Sequence, residues 1–565
     1  MDIYLPVGET SINLLTFLGL GGVVGLLSGL FGVGGGFLLT PLLIMMGIPP
    51  TVAAASDSNQ IVASSSSGAV AHSRAGNVDF KMGTLLLLGS FPGGAIGVQI
   101  IKVLRSLGEA DFFIKVIYIL VLGGIGSFMF ADGLKQLRGG PRLEVVSRKP
   151  KRPSIYVRLV DLLPFKTEFP HSKITLSPLI PFLLGMTIGM LAAIMGVGGG
   201  FIMVPAMVYL LRMPMHGAIG TDLFQIVFAC INVTVLQAYV NHTVDFVLAL
   251  TLLAGSVFGA QIGARISGYL RGEQLKIILS VIVILVMVKM LLGLLLRPDV
   301  LLAHKGGHGG SEHSVVRIEE AEAKSVAGKE ELAPGVEFSV DPKQVDINMR
   351  YGGQDVEVQA EIPADFDVAV KCVGPIRRLE LKRKGKVRGL LWMSVGDVAF
   401  EDAPEFYALR TSAPLGSAIP LEERERVILG YDGLSSALCT PDASPDARDY
   451  FRDLVKLNER DGLFSVEEST VELSPLSEGT QRVVAGFELP GRAPATDYRV
   501  ELYGLRDGHA TLLGARNLSV QKVGAVAFIS SMAKEQGLLY GVMAAVVALA
   551  AGLGIGLVFR GAKGH

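Results

Sequence analysis

The hexapeptide Gly32-Val33-Gly34-Gly35-Gly36-Phe37 returns as Gly196-Val197-Gly198-Gly199-Gly200-Phe201. Each copy is set in strongly apolar sequence and closely followed by a proline, Pro41 and Pro205. A chain that repeats such a cluster in the same setting reads as an internal duplication of the part before residue 300. Each glycine costs roughly 1 kcal/mol relative to alanine inside a helix, so neither apolar run continues as one helix through its cluster. Broken backbone at membrane depth is tolerated only where it is buried in protein or lines a wet cavity. The two clusters are therefore the first candidates for a transport site.

The chain of 565 residues is 50% hydrophobic, with a mean hydropathy of +0.48, too apolar for a soluble protein, yet 18% of it is charged. That combination implies a membrane bundle joined to a polar domain. The net charge of −1 conceals a basic membrane half and a more acidic C-terminal part, so no polyanionic partner follows and nucleic acid is not expected. Met1-Asp2-Ile3-Tyr4 places no basic residue ahead of the first apolar run, which argues against a cleaved signal peptide. Of the three cysteines, Cys230 falls in an apolar segment; Cys372 and Cys439 fall in the polar part, where they could pair on an oxidising side of the membrane.

Apolar segments run over about 12–31, 36–48, 52–72, 82–101 and 112–131, and again over about 178–195, 200–211, 217–239, 246–268 and 275–296. Ten helices in two sets of five result, most near the ~20 residues that span a bilayer; the two that follow the glycines are shorter and are expected to begin inside it. The halves also match beyond the glycines. Asp57-Ser58-Asn59-Gln60-Ile61-Val62 meets Asp222-Leu223-Phe224-Gln225-Ile226-Val227, Val78-Asp79-Phe80 meets Val244-Asp245-Phe246, and Gly89-Ser90 meets Gly255-Ser256.

Residues 135–175 hold ten Lys or Arg against Glu144, Asp161 and Glu168, so the positive-inside rule makes this linker cytoplasmic and the N-terminus extracytoplasmic. Arg74, Lys81, Arg212, Arg265, Arg271 and Lys276 then fall inside, and only the turn with Lys102 and Arg105 disagrees. Five crossings per half give inverted-topology repeats. The expected division is a first repeat over 1–134, a basic cytoplasmic linker over 135–175, a second repeat over 176–298 and a flexible linker over 299–335. An extracytoplasmic β-sandwich-like domain over 336–530 follows, marked by alternations such as Val356-Glu357-Val358-Gln359-Ala360, with a helical insertion near 447–454. A last span over 537–559, followed by Arg560 and Lys563, leaves the C-terminus cytoplasmic.

Helices starting near Gly36 and Gly200 present free N–H groups and a positive dipole end, a ready site for a small anion. Gly34, Gly35 and Gly36 with Gly198, Gly199 and Gly200 are thus candidate substrate-binding residues; the plainer alternative is close helix packing. Gln60 and Gln225 add neutral donors one turn beyond Asp57 and Asp222. Intramembrane carboxylates are functional by default, which makes Asp57 and Asp222 candidate coupling residues, but Asp three residues before Gln also resembles a capping box. Ser64–Ser67, Asn232 and Thr234 extend the polar stripe. No enzyme is expected: Ser67 and His72 do not share a helix face and lack a third partner. No metal or cofactor is expected either, and His304, His308 and His313 read as part of a solvated linker.

The doubled Gly-Val-Gly-Gly-Gly-Phe with its proline, Asp-x-x-Gln-Ile-Val and Gly-Ser…Ile-Gly resemble the sulfite exporter TauE/SafE family of bacterial membrane transporters over about residues 11–297. The C-terminal addition, with Phe406-Tyr407-Ala408-Leu409-Arg410-Thr411-Ser412 and a terminal anchor, is similar to an uncharacterised family of bacterial proteins with one C-terminal span. The resemblance implies a secondary transporter of sulfite, a sulfonate or a related organosulfur anion in the bacterial inner membrane, with an open role for the external domain toward a periplasmic ligand or protein. A rival reading from a different class is an anchored binding or sensory protein whose bundle serves only to hold it.

Overall fold

The computed structural model describes residues 2–31, 36–74, 76–107, 109–138, 167–169, 174–196, 198–211, 213–267, 272–298, 300–304, 328–387, 391–438, 447–477 and 479–558. Packing divides the chain into two compact units, one built from Leu14–Leu296 and Ile529–His565, the other from Met1–Asn13, Arg297–Gly307 and Glu312–Phe528.

The helical unit carries α1 (Leu14–Phe31), α2 (Gly36–Met45), α3 (Pro50–Arg74), α4 (Phe80–Ser106) and α5 (Ala110–Arg138). The second half repeats them as α6 (Leu179–Met195), α7 (Gly200–Tyr209), α8 (Met215–Leu236), α9 (Phe246–Ser267) and α10 (Gly272–Leu295). The short helices begin at the last glycine of each cluster. In the second copy Gly196, Gly198 and Gly199 have φ of 75°, 68° and 88°, a left-handed backbone open to glycine at little steric cost.

The two halves contact each other reciprocally. α1 packs on α9 and α4 on α6, while α3 faces α8 and α5 faces α10. Glycines make the first two contacts backbone to backbone: a Cβ on Gly21 would strike the Leu252 carbonyl and one on Gly185 the equivalent Leu86 carbonyl; Gly25 with Ser256 repeats Gly189 with Ser90. Phe37 and Phe201, equivalent positions of α2 and α7, stack at 4.3 Å and 10°. The Asp79 amide bonds Thr221 Oγ1 (3.0 Å) and the Asp245 amide bonds Ser56 Oγ (2.9 Å), again one contact made twice.

Among the described residues, six helices are long and apolar enough to cross a membrane: α4, α5, the stretch Gly217–Asn241 that extends α8 by a π-helical turn, α9, α10 and the C-terminal helix Gly537–Val558. α1, α2 and α6 are apolar but shorter. α3 has the length but too polar a sequence, because it lies against α8 and turns Ser56, Asp57, Ser58, Asn59 and Gln60, all buried, into the protein. The aberrant Arg105 has a use inside the fold: its guanidinium donates to the Asn241 carbonyl at 2.6 Å, at the C-terminal end of the π-helical turn, where cations are favoured.

The other unit is rich in strands. It contains β1 (Asp2–Leu5), β2 (Thr10–Asn13), β3 (Leu302–His304), β4 (Glu331–Leu332), β5 (Glu337–Asp341), β6 (Gln344–Ile347), β7 (Gly353–Pro363), β8 (Asp367–Val373), β9 (Ile376–Val387), β10 (Leu391–Pro404), β11 (Tyr407–Thr411), β12 (Phe464–Glu467), β13 (Glu472–Ser477), β14 (Thr480–Pro490), β15 (Asp497–Arg506) and β16 (His509–Lys522). A mixed sheet runs β12-β11-β8-β15-β16-β4 with β6 beside β16, an antiparallel sheet runs β13-β14-β7-β5, and a third runs β10-β9-β3. Phe338, Val356 and Val358 of the antiparallel sheet share one core with Val370, Val500 and Leu502 of the mixed sheet.

β8 is buried along nearly its whole length, since helices α11 (Leu421–Val427), α12 (Gly430–Ala437) and α13 (Ala447–Arg460) occur between its neighbours and the Val427 carbonyl accepts from Lys371 of β8. The parallel pairs β11 with β12 and β16 with β6 also depart from a purely antiparallel sandwich.

Residues before Asn13 pack with the strand-rich unit: the Tyr4 amide bonds the Met349 carbonyl (3.0 Å), Arg492 bonds Thr10 Oγ1 (2.9 Å) and Lys522 pairs with Glu9 (2.8 Å). Cys372 is a free, buried thiol, and the expected partner, Cys439, lies outside the described residues. At the other end α14 (Gly524–Glu535) precedes α15 (Gly537–Val558). α15 belongs to the helical unit, packs on α3 and α8, and seats Gly552 against Ala63 and Ser66.

Candidate functional site

The two glutamines sit at equivalent depths of the central pair α3 and α8, and each reaches the serine that the other half places opposite it. Gln60 Nε2 donates to Ser256 Oγ at 3.1 Å, and Ser90 Oγ donates to Gln225 Oε1 at 3.2 Å. These serines belong to the doubled Gly-Ser of α4 and α9. The glycine lets a facing helix approach so closely that the next residue, serine, is brought to the interior.

A small enclosed cavity lies beside the second glutamine. Ser58, Ser90, Ile188, Gly189, Ala192, Gly198, Met203, Gln225, Ala229, Cys230 and Val233 line it. The glycine break, one carboxamide and two hydroxyls are the polar elements of an otherwise apolar wall. These groups are neutral, and each is engaged inside the fold: Ser58 Oγ donates to the Ala54 carbonyl (3.0 Å), Ser90 Oγ to the Leu86 carbonyl (2.9 Å) and Gln225 Nε2 to Asp222 Oδ1 (3.2 Å), so an anion bound here would have to exchange for those partners. The cavity measures about 10 Å³, room for roughly one water.

The carboxylates do not cap helices, contrary to the capping-box alternative. Asp57 and Asp222 each lie seven residues inside their helices, α3 from Pro50 and α8 from Met215, and both are buried. Asp222 Oδ1 accepts from Gln225 Nε2 at 3.2 Å. Asp57 Oδ2 accepts from Thr40 Oγ1 at 2.7 Å, and its Oδ1 has no hydrogen-bond partner among the described residues. The true caps are Asp79, which accepts from the Met82 amide, and Asp245, which accepts from those of Val247 and Leu248. Thr40 has Val204 as its counterpart, so the duplication is broken at the carboxylates.

Of the predicted residues, Gly198 and Gln225 meet in the cavity, while Gln60 joins the equivalent contact in the other half. Gly199 caps α7, and Gly36 and Gly200 open α2 and α7. Asp57 and Asp222 stand behind the wall. Gly34 and Gly35 lie outside the described residues, as do His308 and His313. Sequence reasoning missed Ser58, Ser90 and Cys230 as lining; the recurrence of Gly-Ser in both halves was the available signal for Ser90.

Residues 17–290 match the family model described as "Sulfite exporter TauE/SafE", and residues 335–561 match "Putative transmembrane protein (Alph_Pro_TM)". The chain is 27% identical over 273 residues to "Probable membrane transporter protein YjnA" of Bacillus subtilis, covering 47% of this chain and 96% of that protein. It is 25% identical over 282 residues to "Probable membrane transporter protein YunE" of the same organism, covering 48% and 94%. "Sulfite exporter TauE/SafE family protein 1" of Arabidopsis thaliana is 33% identical over 100 residues, 18% of this chain and 22% of that protein. No solved structure matches the chain. This multi-pass membrane protein thus carries, in its reciprocal helical halves, a region that matches the sulfite exporter TauE/SafE model and, in its C-terminal part, a region that matches the Alph_Pro_TM model.

Proposed function

We propose that the helical unit is a secondary transporter of a small oxyanion, sulfite or a sulfonate, exported across the bacterial inner membrane by alternating access about the paired glycine breaks. The observation that carries this reading is the cavity in which a glycine break, a carboxamide and two hydroxyls converge between the two reciprocally packed halves. Transport as such is supported by the transporter relatives; the cargo is suggested by the family description.

In this reading each half crosses the membrane five times in opposite sense, with the basic linker cytoplasmic and the strand-rich unit extracytoplasmic. The inclusion of residues 1–13 and 297–307 in one compact unit supports an even number of crossings between α1 and α10. Export is the direction with least machinery: with the interior negative, one charge leaving is favoured by about 2.3 kcal/mol per 100 mV. Asp57, whose Oδ1 has no hydrogen-bond partner among the described residues, is the carboxylate to examine for proton coupling.

The test is flux in proteoliposomes offered labelled sulfite, sulfate, thiosulfate and a small sulfonate, with Gly199→Leu as the control. Selective flux of one anion, lost in the control, is expected. Absence of flux of all four in folded protein would return the chain to the anchored-binding reading.

Gln225→Leu removes at once the amide that bonds Asp222 and the oxygen that accepts from Ser90. A buried polar group left unsatisfied costs about 1–3 kcal/mol, so flux should fall on the order of tenfold to a hundredfold. Gln60→Leu, outside the cavity, should cost clearly less. Equal losses would mean that both glutamines serve only to hold the halves together.

A further inference from the structure

Asp57 is fully buried, and among the described residues no Lys or Arg compensates its charge. Its Oδ2 accepts from Thr40 Oγ1 at 2.7 Å, while Oδ1 has no hydrogen-bond partner among those residues. Whether the group is ionised or protonated, that oxygen is left unsatisfied. A buried polar atom in this state is costly.

What surrounds the carboxylate is oxygen. The Tyr118 hydroxyl of α5, also fully buried, hydrogen-bonds with the Thr40 side chain and donates to the Met195 carbonyl. Met195 is the last residue of α6, where the chain leaves the helix at Gly196 with φ of 75°. A Cβ at Gly196 would strike the backbone of Ala54, three residues before Asp57 on α3, so the end of α6 is seated on the helix that carries the carboxylate. The last carbonyls of a helix lack intrahelical donors and form the negative end of its dipole. Phe37, Leu38, Ile114, Leu122, Ile194 and Phe201 pack with Tyr118 and Met195 in one apolar core, which keeps this group of oxygens dry.

A set made only of carboxylate, hydroxyl and carbonyl oxygens is what a hard cation takes. Broken membrane helices present their C-terminal carbonyls to such cations, as they present their N-termini to anions. One carboxylate balances one charge, and a divalent ion would leave a buried surplus. Oxygens already in mutual contact need less widening for sodium than for potassium. The arrangement is also confined to one half of the duplication: Thr40 has Val204 as its counterpart, and α10 contains no tyrosine. The glutamine and serine contacts, by contrast, occur twice.

We propose that Asp57, Thr40, Tyr118 and the Met195 carbonyl form a binding site for a sodium ion inside the helical unit. Such a site can fill whatever solute the unit moves, so sodium binding is measured without any transport assay.

The full-length protein is unfolded thermally in detergent and mildly alkaline buffer, with sodium, potassium or choline chloride at equal ionic strength. A ligand that binds only the folded state raises the midpoint in a concentration-dependent way; sodium is expected to do so, and potassium and choline are not. Asp57→Asn should abolish the response. Thr40→Val installs the residue that α7 carries at Val204, and it should raise the sodium concentration needed for a given shift by about tenfold or more, as should Tyr118→Phe, since each removes an oxygen held against a charge. Asp222→Asn, which removes the carboxylate of the other half, should keep the sodium response. Equal shifts in sodium and potassium would overturn the proposal, as would a sodium response left intact by Thr40→Val and Tyr118→Phe. A midpoint that follows acidification but ignores sodium would overturn it in favour of a proton at Asp57.

Discussion

Alanine at Gly93, or at its counterpart Gly259, is expected to destabilise the helical unit by about 3 kcal/mol, the upper end of what an overpacked methyl costs. The reason is that the obstacle is backbone. The new Cβ at Gly93 would fall on the Met186 carbonyl, and that at Gly259 on the Gly22 carbonyl; neither can rotate away as a side chain does. Relief requires α4 and α6, or α1 and α9, to separate along their whole contact, which would also pull Ser90 and Ser256 away from the glutamines. Gly124→Ala is the control. Among the described residues nothing lies within 4 Å of the added carbon there, so the change should be neutral or stabilise the helix by up to about 1 kcal/mol. Thermal unfolding in detergent, followed by the loss of monodisperse protein, separates the cases. Equal midpoints for Gly93→Ala and Gly124→Ala would refute the close contact.

Lys371→Met is expected to cost the strand-rich unit about 3 kcal/mol, the lower end of what breaking a buried ion pair costs. Lys371 and Glu501 are directly opposed in the β8–β15 ladder, 2.8 Å apart, with side chains only 7% and 15% exposed. The ammonium also donates to the Val427 carbonyl (2.9 Å) and lies 5.1 Å from the Tyr503 ring centroid. The loss falls short of a fully orphaned charge because Arg499 and Tyr503 still donate to the Glu501 carboxylate at 3.0 Å each.

The pair also sets a pH dependence. Burial alone would raise the Glu501 carboxyl, but the charge of Lys371 and the hydrogen bonds from Lys371, Tyr503 and Arg499 outweigh it and hold the group below its ordinary value of 4.5. A carboxyl depressed on folding contributes stability that is complete above its unfolded value and is lost as pH falls through the folded one. Melting followed through Trp392 should therefore show destabilisation as the pH drops below about 4.5, with a shallower slope in Lys371→Met. An unchanged slope would show that the pair does not govern Glu501.

Much of this organisation was legible beforehand because it rests on periodicity and steric rules that act locally. The glycine clusters announced the two helix breaks, and α2 and α7 begin at Gly36 and Gly200 as read. Apolar runs located the long helices, most ends to within a few residues, but stopped short where polar residues continue the helix, as at the ends of α4 (Ser106) and α5 (Arg138). Alternation located the strands of 336–530, though not the helices α11 and α12, which were hidden because α11 is charged and α12 short. The capping reading of Asp57 and Asp222 failed for an instructive reason. Local pattern cannot distinguish an Asp at a helix start from one in mid-helix when the helix begins seven residues earlier at a proline step.

The sequence by itself determined the duplication, the breaks, the apolar helices and the presence of a strand-rich second unit, since each follows from residue type and spacing along a short stretch. Only the tertiary structure decided which half's serine answers which half's glutamine, that α3 may be polar because neighbouring helices cover it, that residues 2–13 join strands more than three hundred residues away, and that α15 docks on α3 and α8. Those are contacts between segments remote in the chain. They are set by which faces can approach when glycine removes the side chain between them, and no local pattern records the partner.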